Sequence, residues 1–452
     1  MGNEQNNPSE SLTGVFPIRQ MFLLKSWVER AYHQHVIRYS DWNERDYRLI
    51  VRMAVTIIFI VVVTASACAI RIKYLRMEEQ SEVKDAQRFL AQGDYAKAAT
   101  AAGRALVLNP TDLAACRAMA DAKSLGKSSA ELFWVQRLAD IEPTTENKLR
   151  LAETGLRCQT APFPVTSVVL TDLAQNEANN PTFQMLAGNL AAKMHQPVDA
   201  EAHFKVAVQL DPSNQQYALS LAIIQLGLPD PAVKKQARQH LEKLALDTNV
   251  GVDALRALVT DCQSAGDYVS ADHYSDQLLA SPHATMMDRL QNLEVLKQFN
   301  QNAFSERLRS VMNLAANQAP MVAPLSTWMQ ENGLAAENLE WLPSLPWTIR
   351  SGTSYKVALA NAYLQMGRWQ DMLDFANRDN WSDQDFLRLA MLSRAWAQLG
   401  VPTVAQSNWG DAVKKAGDHY EAMTNLLVLA QRWQLTDAQQ DLRERILQLA
   451  PQ

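Results

Sequence analysis

Residues 86–110 have the sequence AQRFLAQGDYAKAATAAGRALVLNP, in which two helix-like runs are separated by Gly93. The tripeptide GDY at 93–95 recurs at 266–268, and a related GRW stands at 367–369. Glycine readily adopts the left-handed backbone conformation that ends a helix. We therefore predict that each of these glycines lies in a turn between two antiparallel helices.

Equivalent turns are separated by multiples of a period close to 34 residues. His195 follows Gly93 by 102 residues, and Gly400 follows Gly367 by 33. The seventh residue before each turn and the fifth after it are mostly small, as expected where two helices cross closely. They are Ala86, Gly188, Val259, Ala360 and Ser393 before the turns, and Ala98, Ala200, Ala271, Met372 and Ala405 after them. Because one helix pair cannot bury its own apolar face, we expect the pairs to stack.

This pattern resembles the tetratricopeptide repeat (TPR) family. The clearest matches are 86–110 and 183–212, followed by 259–282, 356–376 and 389–412. The resemblance implies an all-α fold, a TPR-like α-solenoid of roughly ten to eleven helix pairs over residues 72–452. It also implies protein–protein interaction, although such repeats serve many unrelated tasks.

One segment departs from the composition of a soluble protein. Residues 49–71 are apolar, and no charge lies between Arg52 and Arg71. An 18-residue helix spans about 27 Å, close to the thickness of a hydrocarbon core. A buried soluble helix, a cleaved signal peptide and a lipoprotein cleavage site are alternatives. We predict a single uncleaved transmembrane helix, with Arg52 and Arg71 reaching the two interfaces.

The residues before this segment fall into two parts. Residues 1–14 are polar and rich in turn formers, so we expect them to be disordered. Residues 15–48 have helical spacing of apolar residues and form a predicted juxtamembrane helical segment. The basic residues on the two sides of 49–71 are nearly balanced. We expect the N-terminus inside and the C-terminal domain outside, which in a bacterium is the periplasm.

Composition and motifs argue against several function classes. The net charge is −5, which gives no general attraction for nucleic acid. GKSS at 126–129 lacks the preceding glycine of a phosphate-binding loop, and we predict that it is a turn between two helices. The sequence has no zinc-ligand spacing and no nucleophile elbow, and its four separated cysteines are expected to be buried free thiols. We predict no enzymatic activity, cofactor or metal.

Tryptophans give the candidate partner contacts. Trp341 and Trp347 lie in LEWLPSLPWTIRSG, a predicted irregular insertion near 341–352, and Trp27 lies in the juxtamembrane segment. Exposed aromatic residues there would suit a protein contact, whereas packing beneath the insertion is the alternative. The combined hypothesis is a single-pass membrane-anchored scaffold or adaptor in bacterial envelope assembly, secretion or quality control. The alternative is a structural accessory subunit of a large membrane complex. Either would bind protein partners at the membrane, with the bilayer contacted through residues 49–71.

Overall fold

A computed structural model describes Arg30 and residues 44–128 and 130–449 of the chain. The predicted disordered segment 1–14, most of the predicted juxtamembrane segment and Trp27 lie outside the described residues. The chain divides into two compact units, with the boundary between Met119 and Ala120.

The described residues are almost entirely helical. Apart from the one-turn helix α17, the helices follow one another as eleven helix–turn–helix pairs, which confirms the predicted all-α repeat fold. A 3₁₀ turn lies at Ser382–Gln384. The α-helices are α1 (Glu44–Ala91), α2 (Tyr95–Leu108), α3 (Leu113–Leu125), α4 (Glu131–Ile141), α5 (Thr145–Cys158), α6 (Pro164–Leu173), α7 (Pro181–Lys193), α8 (Pro197–Leu210), α9 (Gln215–Leu226), α10 (Pro231–Leu244), α11 (Gly251–Ser264), α12 (Tyr268–Ala280), α13 (Met286–Phe299), α14 (Gln301–Ala315), α15 (Ala319–Glu331), α16 (Ala335–Ser344), α17 (Trp347–Arg350), α18 (Thr353–Gln365), α19 (Trp369–Ala376), α20 (Asp385–Gln398), α21 (Pro402–Ala416), α22 (Tyr420–Arg432) and α23 (Thr436–Leu449).

The predicted turns share one backbone geometry. Gly93 has a φ of 75°, and His195, which lies at the equivalent position, has a φ of 59°. The N–H groups of Gly93 and Asp94 donate back to the carbonyls of Leu90 and Phe89, at 3.1 and 3.0 Å. This is the hydrogen-bond pattern of a Schellman motif, which satisfies the last carbonyls of the first helix. The Asp94 side chain then caps the second helix by accepting from the N–H of Lys97.

Three further turns have this geometry, and they lie at Lys127, Gly333 and Gln434, again close to 34 residues from their neighbours. The turn within 126–129 was predicted, whereas those at Gly333 and Gln434 were not. At Gln434 the left-handed residue is not a glycine, so the sequence of that turn does not mark it. At Gly333 the fifth following residue is Asn338, whose side chain is fully buried and donates to Ser326 Oγ at 2.9 Å. At this helix crossing, a hydrogen bond between two side chains replaces the apolar contact found in other pairs.

The paired helices approach closely at the small residues. All ten predicted crossing positions are buried, and a Cβ atom added at Gly188 would lie 2.4 Å from Cε1 of Phe204. Gly188 lies on α7 and Phe204 on α8, so the glycine allows the aromatic ring to pack against the backbone of the facing helix. The predicted role of the small residues is therefore confirmed at atomic level for this pair.

Neighbouring pairs in the second unit share their apolar cores. One cluster joins Leu219 of α9, Leu241 of α10 and Leu258 of α11, so it includes one pair and the first helix of the next. Hydrogen bonds also join positions about one repeat apart. Tyr274 Oη donates to Glu242 at 2.7 Å, and Lys297 Nζ donates to the Asn332 carbonyl at 2.9 Å. These contacts fix each pair against the next.

The first unit is built on the 48-residue helix α1. Its C-terminal part packs against α2 through the buried Val83 and Ala86, and Asn109 donates to Glu79 at 2.9 Å. Its N-terminal part contains a stretch that is long and apolar enough to cross a membrane, and none of that stretch is buried. Position 71, the predicted end of the membrane segment, is not a helix end, because α1 continues through it.

Two expectations about local features need correction. Of the four cysteines, Cys116 and Cys262 are buried, whereas Cys68 and Cys158 are exposed. Burial raises the pKa of the Cys262 thiol to about 11. The segment near 341–352 was expected to be irregular, but it is mostly helical, because it contains the end of α16 and all of α17.

We expect Gly188→Ala to destabilise the protein by about 1–3 kcal/mol, because the new methyl group must displace the Phe204 ring. Thermal unfolding of the full chain in mild detergent, followed by circular dichroism, measures this effect. The matched control is Gly410→Ala in α21, where no atom lies within 4 Å of the added Cβ. That variant should gain about 0.5–1 kcal/mol from helix propensity. Equal effects of the two substitutions would contradict the crossing role of Gly188.

Candidate protein-binding groove

One face of the second unit is formed by the first helices of successive pairs. Helix α15 contacts α18, α18 contacts α20, and α20 contacts α22. Each of these is the first helix of its pair, so side chains from four consecutive pairs lie side by side. The face also includes α9 and α11, which contact each other in the same manner.

A groove between α9 and α11 has a volume of about 770 Å³ and an apolar floor. Leu219, Leu226 and Ala257 contribute to the floor, and Ile223 is 44% exposed within it. The acidic side chain of Asp261 on its wall accepts hydrogen bonds from Arg238. This groove therefore offers apolar surface, and the Asp261 charge is already paired.

Arg256 on the same wall is held by a buried carboxylate. Its Nε and Nη2 atoms donate to the two carboxylate oxygens of Asp288, each at 2.9 Å, and Asp288 lies at the start of α13. Burial raises the pKa of Asp288, but hydrogen bonds from Arg256 and Thr285 outweigh it and hold the pKa below its ordinary value of 3.8. The pair joins α11 to the next repeat.

The second groove on this face, which we call the C-terminal groove, lies across α15, α18, α20 and α22 and has a volume of about 350 Å³. Polar amide side chains and two arginines line it, together with the edges of two tryptophans. Its lining residues are Thr327, Gln330, Glu331, Asn361, Leu364, Gln365, Trp369, Arg394, Arg432 and Trp433.

The aromatic side chains of the C-terminal groove are fixed by the core. Trp369 and Trp433 are half-buried and pack against the cluster that contains the fully buried Met372 and Ala376. The Trp433 ring also meets Trp409 edge-on, with ring centroids 6.4 Å apart. Both tryptophans therefore pack on the core, and each leaves part of its surface open to solvent.

The two predicted contact residues of the α16–α17 segment have different environments. Trp347 is 73% exposed on α17, as a partner contact requires. Trp341 is only 7% exposed and lies in the apolar core with Leu342 and Ile349. The prediction that Trp341 contacts a partner is therefore wrong, because α16 turns this side chain into the core.

Trp347 stands at the edge of a separate cleft of about 480 Å³. Its charged lining is balanced, with Arg350, Lys356 and Arg378 facing Asp371, Asp374 and Asp379. The Lys356 ammonium lies 3.5 Å from the Asp379 carboxylate. Because the charges balance, this cleft shows no preference for an anion or a cation.

The remaining candidate residues lie in the first unit. Arg52 and Arg71 are exposed on α1, at the two ends of its uncharged stretch. Among the described residues, no group of three or more histidine, cysteine, aspartate or glutamate side chains could hold a metal ion.

Sequence reasoning did not find Arg394 and Arg432, because they lie on different helices and belong to no motif. The repeat spacing does, however, indicate that Arg394 lies on the same face as Asn361. Asn361 precedes the turn at Gly367 by six residues, and Arg394 precedes the turn at Gly400 by six. Equivalent positions of successive repeats lie on the same face, so the two side chains could have been assigned to one surface.

No family model and no curated protein matches the chain. Solved structures with similar folds include the Cut9–Hcn1 hetero-tetramer of the APC/C, at 12% identity over 84% of this chain and 80% of that one, with a TM-score of 0.32. The human IFIT1 dimer with m7Gppp-AAAA is 13% identical over 74% of this chain and 89% of that one, with a TM-score of 0.36. PilW, a type IV pilus biogenesis factor, is 15% identical over 52% of this chain and 92% of that one, with a TM-score of 0.31. At these values the similarities say nothing about partner or activity.

We expect Arg256→Gln to destabilise the protein by about 1–3 kcal/mol near neutral pH, because it leaves the buried Asp288 carboxylate without its cation. The Asp288 pKa is lowered in the folded state, so the stability it contributes is present above its ordinary value of 3.8 and lost as pH falls through that range. The difference in unfolding midpoint between wild type and variant should therefore shrink below about pH 4.

The matched control for this prediction is Arg307→Gln. Arg307 pairs with Asp276 at 2.7 Å, but the Asp276 side chain is 54% exposed. Such a surface pair contributes at most about 1 kcal/mol. A gap between wild type and Arg256→Gln that stays constant from neutral to acid pH would contradict the assigned role of Asp288.

Proposed function

We propose that this protein is a membrane-anchored scaffold whose helical repeats bind protein partners. The observation that carries the proposal is helix α1, in which an exposed apolar stretch and the first repeat helix form one continuous element. An unburied run of this length and composition needs a lipid environment to cover it. The same helix then supplies Val83 and Ala86 to the first pair.

The repeats support the scaffold role through their shape and chemistry. The first helices of successive pairs form a continuous face with two grooves of about 770 and 350 Å³. Stacked helical repeats make extended surfaces suited to binding other proteins. Attachment to a membrane raises the effective concentration of membrane partners, so weak contacts can suffice. We infer that the protein acts by binding and not by catalysis.

We place the repeats outside the cytoplasmic membrane of a bacterium, with the N-terminus inside. A role in envelope assembly, secretion or quality control follows from that placement. The basis is the charge carried by the first 48 residues, which include Lys25, Arg30, Arg38, Arg45 and Arg48. A segment with this many positive charges is difficult to translocate.

A second candidate function is that of a structural accessory subunit in a membrane complex. Apolar residues continue on α1 beyond Arg71, and Ile72, Tyr74 and Met77 are each more than half exposed. Together with the small residues Ala65 and Ala69 inside the apolar stretch, they would suit contact with a helix of another membrane subunit.

Replacement of residues 49–71 by an unrelated leucine-rich membrane span separates the two functions. If the repeats select the partner, the partner should still co-purify with this variant in mild detergent. If α1 docks into a complex, stoichiometric partners should be lost although the chain remains in the membrane. Mass spectrometry of the purified complex provides the measurement.

The control variant for the purification keeps residues 49–71 and carries Arg443→Gln, at an exposed position on α23. The partner should co-purify with this variant under either function. Release of the unmodified full chain from membranes by alkaline carbonate would contradict the anchor itself, and with it both functions.

A further inference from the structure

We propose that the part of α1 between the apolar stretch and the first repeat binds the headgroups of anionic phospholipids. The site consists of Arg71, Lys73 and Arg76, which we call the basic collar, together with Tyr74. This inference rests on the proposed membrane anchor and names the class of lipid that the anchor prefers. The chemistry that it recognises is a phosphate group that is not neutralised by a cation in the same lipid.

The three cations of the basic collar have no counter-ion within the described part of the chain. Their side chains are exposed, and no acidic side chain of the described residues lies within ion-pair distance of them. Arg88, on the same helix, by contrast pairs with Asp85 at 2.9 Å. Glu79, three residues beyond Arg76, accepts a hydrogen bond from Asn109 instead. The collar therefore leaves three positive charges for an external anion.

The position of the collar along α1 matches the depth of lipid headgroups. It begins directly after the uncharged stretch, none of which is buried. Arg71 and Arg76 are five residues apart, which corresponds to about 7.5 Å of helix. The headgroup layer on each side of a bilayer is about 5–7 Å thick. When the apolar stretch spans the hydrocarbon core, all three long basic side chains therefore reach the level of the phosphates.

The helix distributes the collar over two sides. Lys73 and Arg76 are three residues apart, so they are neighbours on one face of the helix. Like charges in this arrangement repel each other, and a phosphate between them removes the repulsion. Arg71 and Tyr74 are neighbours on another face, where the tyrosine ring suits the boundary between acyl chains and headgroups. The collar can therefore contact more than one lipid.

The charge of α1 changes sign immediately beyond the collar. Residues 71–77 contain three basic residues and no acidic residue, whereas residues 78–85 contain four acidic residues and one lysine. Anionic headgroups attract the first of these segments and repel the second, so together the segments favour one depth of α1 in the membrane. A zwitterionic lipid attracts the collar less, because its own ammonium group already neutralises its phosphate.

Apolar side chains alternate with the cations of the collar. Ile70, Ile72 and Met77 are each more than half exposed. Such alternation suits the membrane interface, where apolar groups reach the acyl chains and cations reach the phosphates. The second candidate function would use the same apolar residues for contact with another subunit. The test therefore uses the purified chain in lipid vesicles without other subunits.

The test measures which lipid is held next to α1. The full chain is purified in mild detergent and reconstituted into phosphatidylcholine vesicles that contain a trace of spin-labelled lipid in both leaflets. The label is carried by phosphatidylglycerol or by phosphatidylcholine, near the end of an acyl chain. Electron paramagnetic resonance then gives the fraction of each lipid whose motion is restricted by the protein, and hence the ratio of their association constants.

We expect phosphatidylglycerol to associate at least about fivefold more strongly than phosphatidylcholine. This ratio corresponds to about 1 kcal/mol, the contribution of one basic residue at a membrane surface. Sodium chloride at about 1 M, where the screening length falls to about 3 Å, should reduce the ratio.

The triple variant Arg71→Gln, Lys73→Gln and Arg76→Gln should bring the ratio close to one, because it removes every charge of the collar. The double variant Arg71→Lys with Arg76→Lys keeps these charges and should retain most of the preference. The two variants together distinguish a loss of charge from a mere change of side-chain shape.

The charge-matched control carries Lys84→Gln, Lys235→Gln and Arg443→Gln. All three positions are exposed and lie outside the collar, and Lys84 lies on α1 itself, about 12 Å beyond Arg76. This control lowers the net charge of the chain as much as the triple variant does, and it should leave the ratio unchanged. Circular dichroism confirms that each variant is folded.

Equal association of the two lipids with the wild-type chain would overturn the inference, as would a preference that survives in the triple variant. Free phosphate offers the same chemistry as a headgroup. A ratio that is abolished by sodium phosphate, but not by sodium chloride of equal ionic strength, would assign the collar to a soluble anion and overturn the assignment to lipid.

The membrane anchor is judged separately in the same spectra. A restricted fraction that is present for both lipids in equal amount leaves the anchor intact while the inference fails. Absence of a restricted fraction for either lipid would show that α1 does not contact acyl chains, and would contradict the anchor itself.

Discussion

The close crossing of the two helices in each pair is the constraint on which the rest of the structure depends. A small residue seven positions before the turn lets the backbones approach, as Gly188 does beneath Phe204. The left-handed residue at the turn, such as Gly93, sets the direction of the second helix. Once paired, the helices still expose apolar faces, which only the next pair can cover. Repeated pairing therefore produces one face made of first helices, and the grooves lie on that face.

Local features of this architecture could be predicted from the sequence, and features that depend on neighbouring repeats could not. The predictions of turns at Gly93 and His195 and of small residues at the helix crossings were correct. Backbone conformation and helix contact within a pair depend on residues that are close in sequence. The prediction that Trp341 contacts a partner was wrong, because the burial of its side chain depends on which helices pack around α16. The C-terminal groove was missed for the same reason. Its two arginines come together only when α20 and α22 are known to be neighbours.

Helix α1 connects the proposed anchor to the repeats without a flexible linker. At 1.5 Å per residue it is about 72 Å long, which exceeds the thickness of a bilayer. In the proposed arrangement, the first pair would be held at a fixed orientation to the membrane surface, because its first helix is the continuation of the membrane helix. A scaffold attached in this manner restricts the approach of partners to a defined set of directions, which favours specific contacts between weakly binding surfaces.

The accessibility of Cys68 in native membranes tests the central claim most directly. Cys68 is exposed in the structure, so the described part of the chain leaves it open to a water-soluble maleimide that a surrounding membrane would exclude. In a full chain with the other cysteines replaced by serine, we expect Cys68 to remain unlabelled in permeabilised membranes. A cysteine introduced at the exposed position Ser81, thirteen residues further along the same helix, should be labelled rapidly. Labelling of Cys68 as fast as position 81 would show that this part of α1 lies in water and would contradict the membrane anchor.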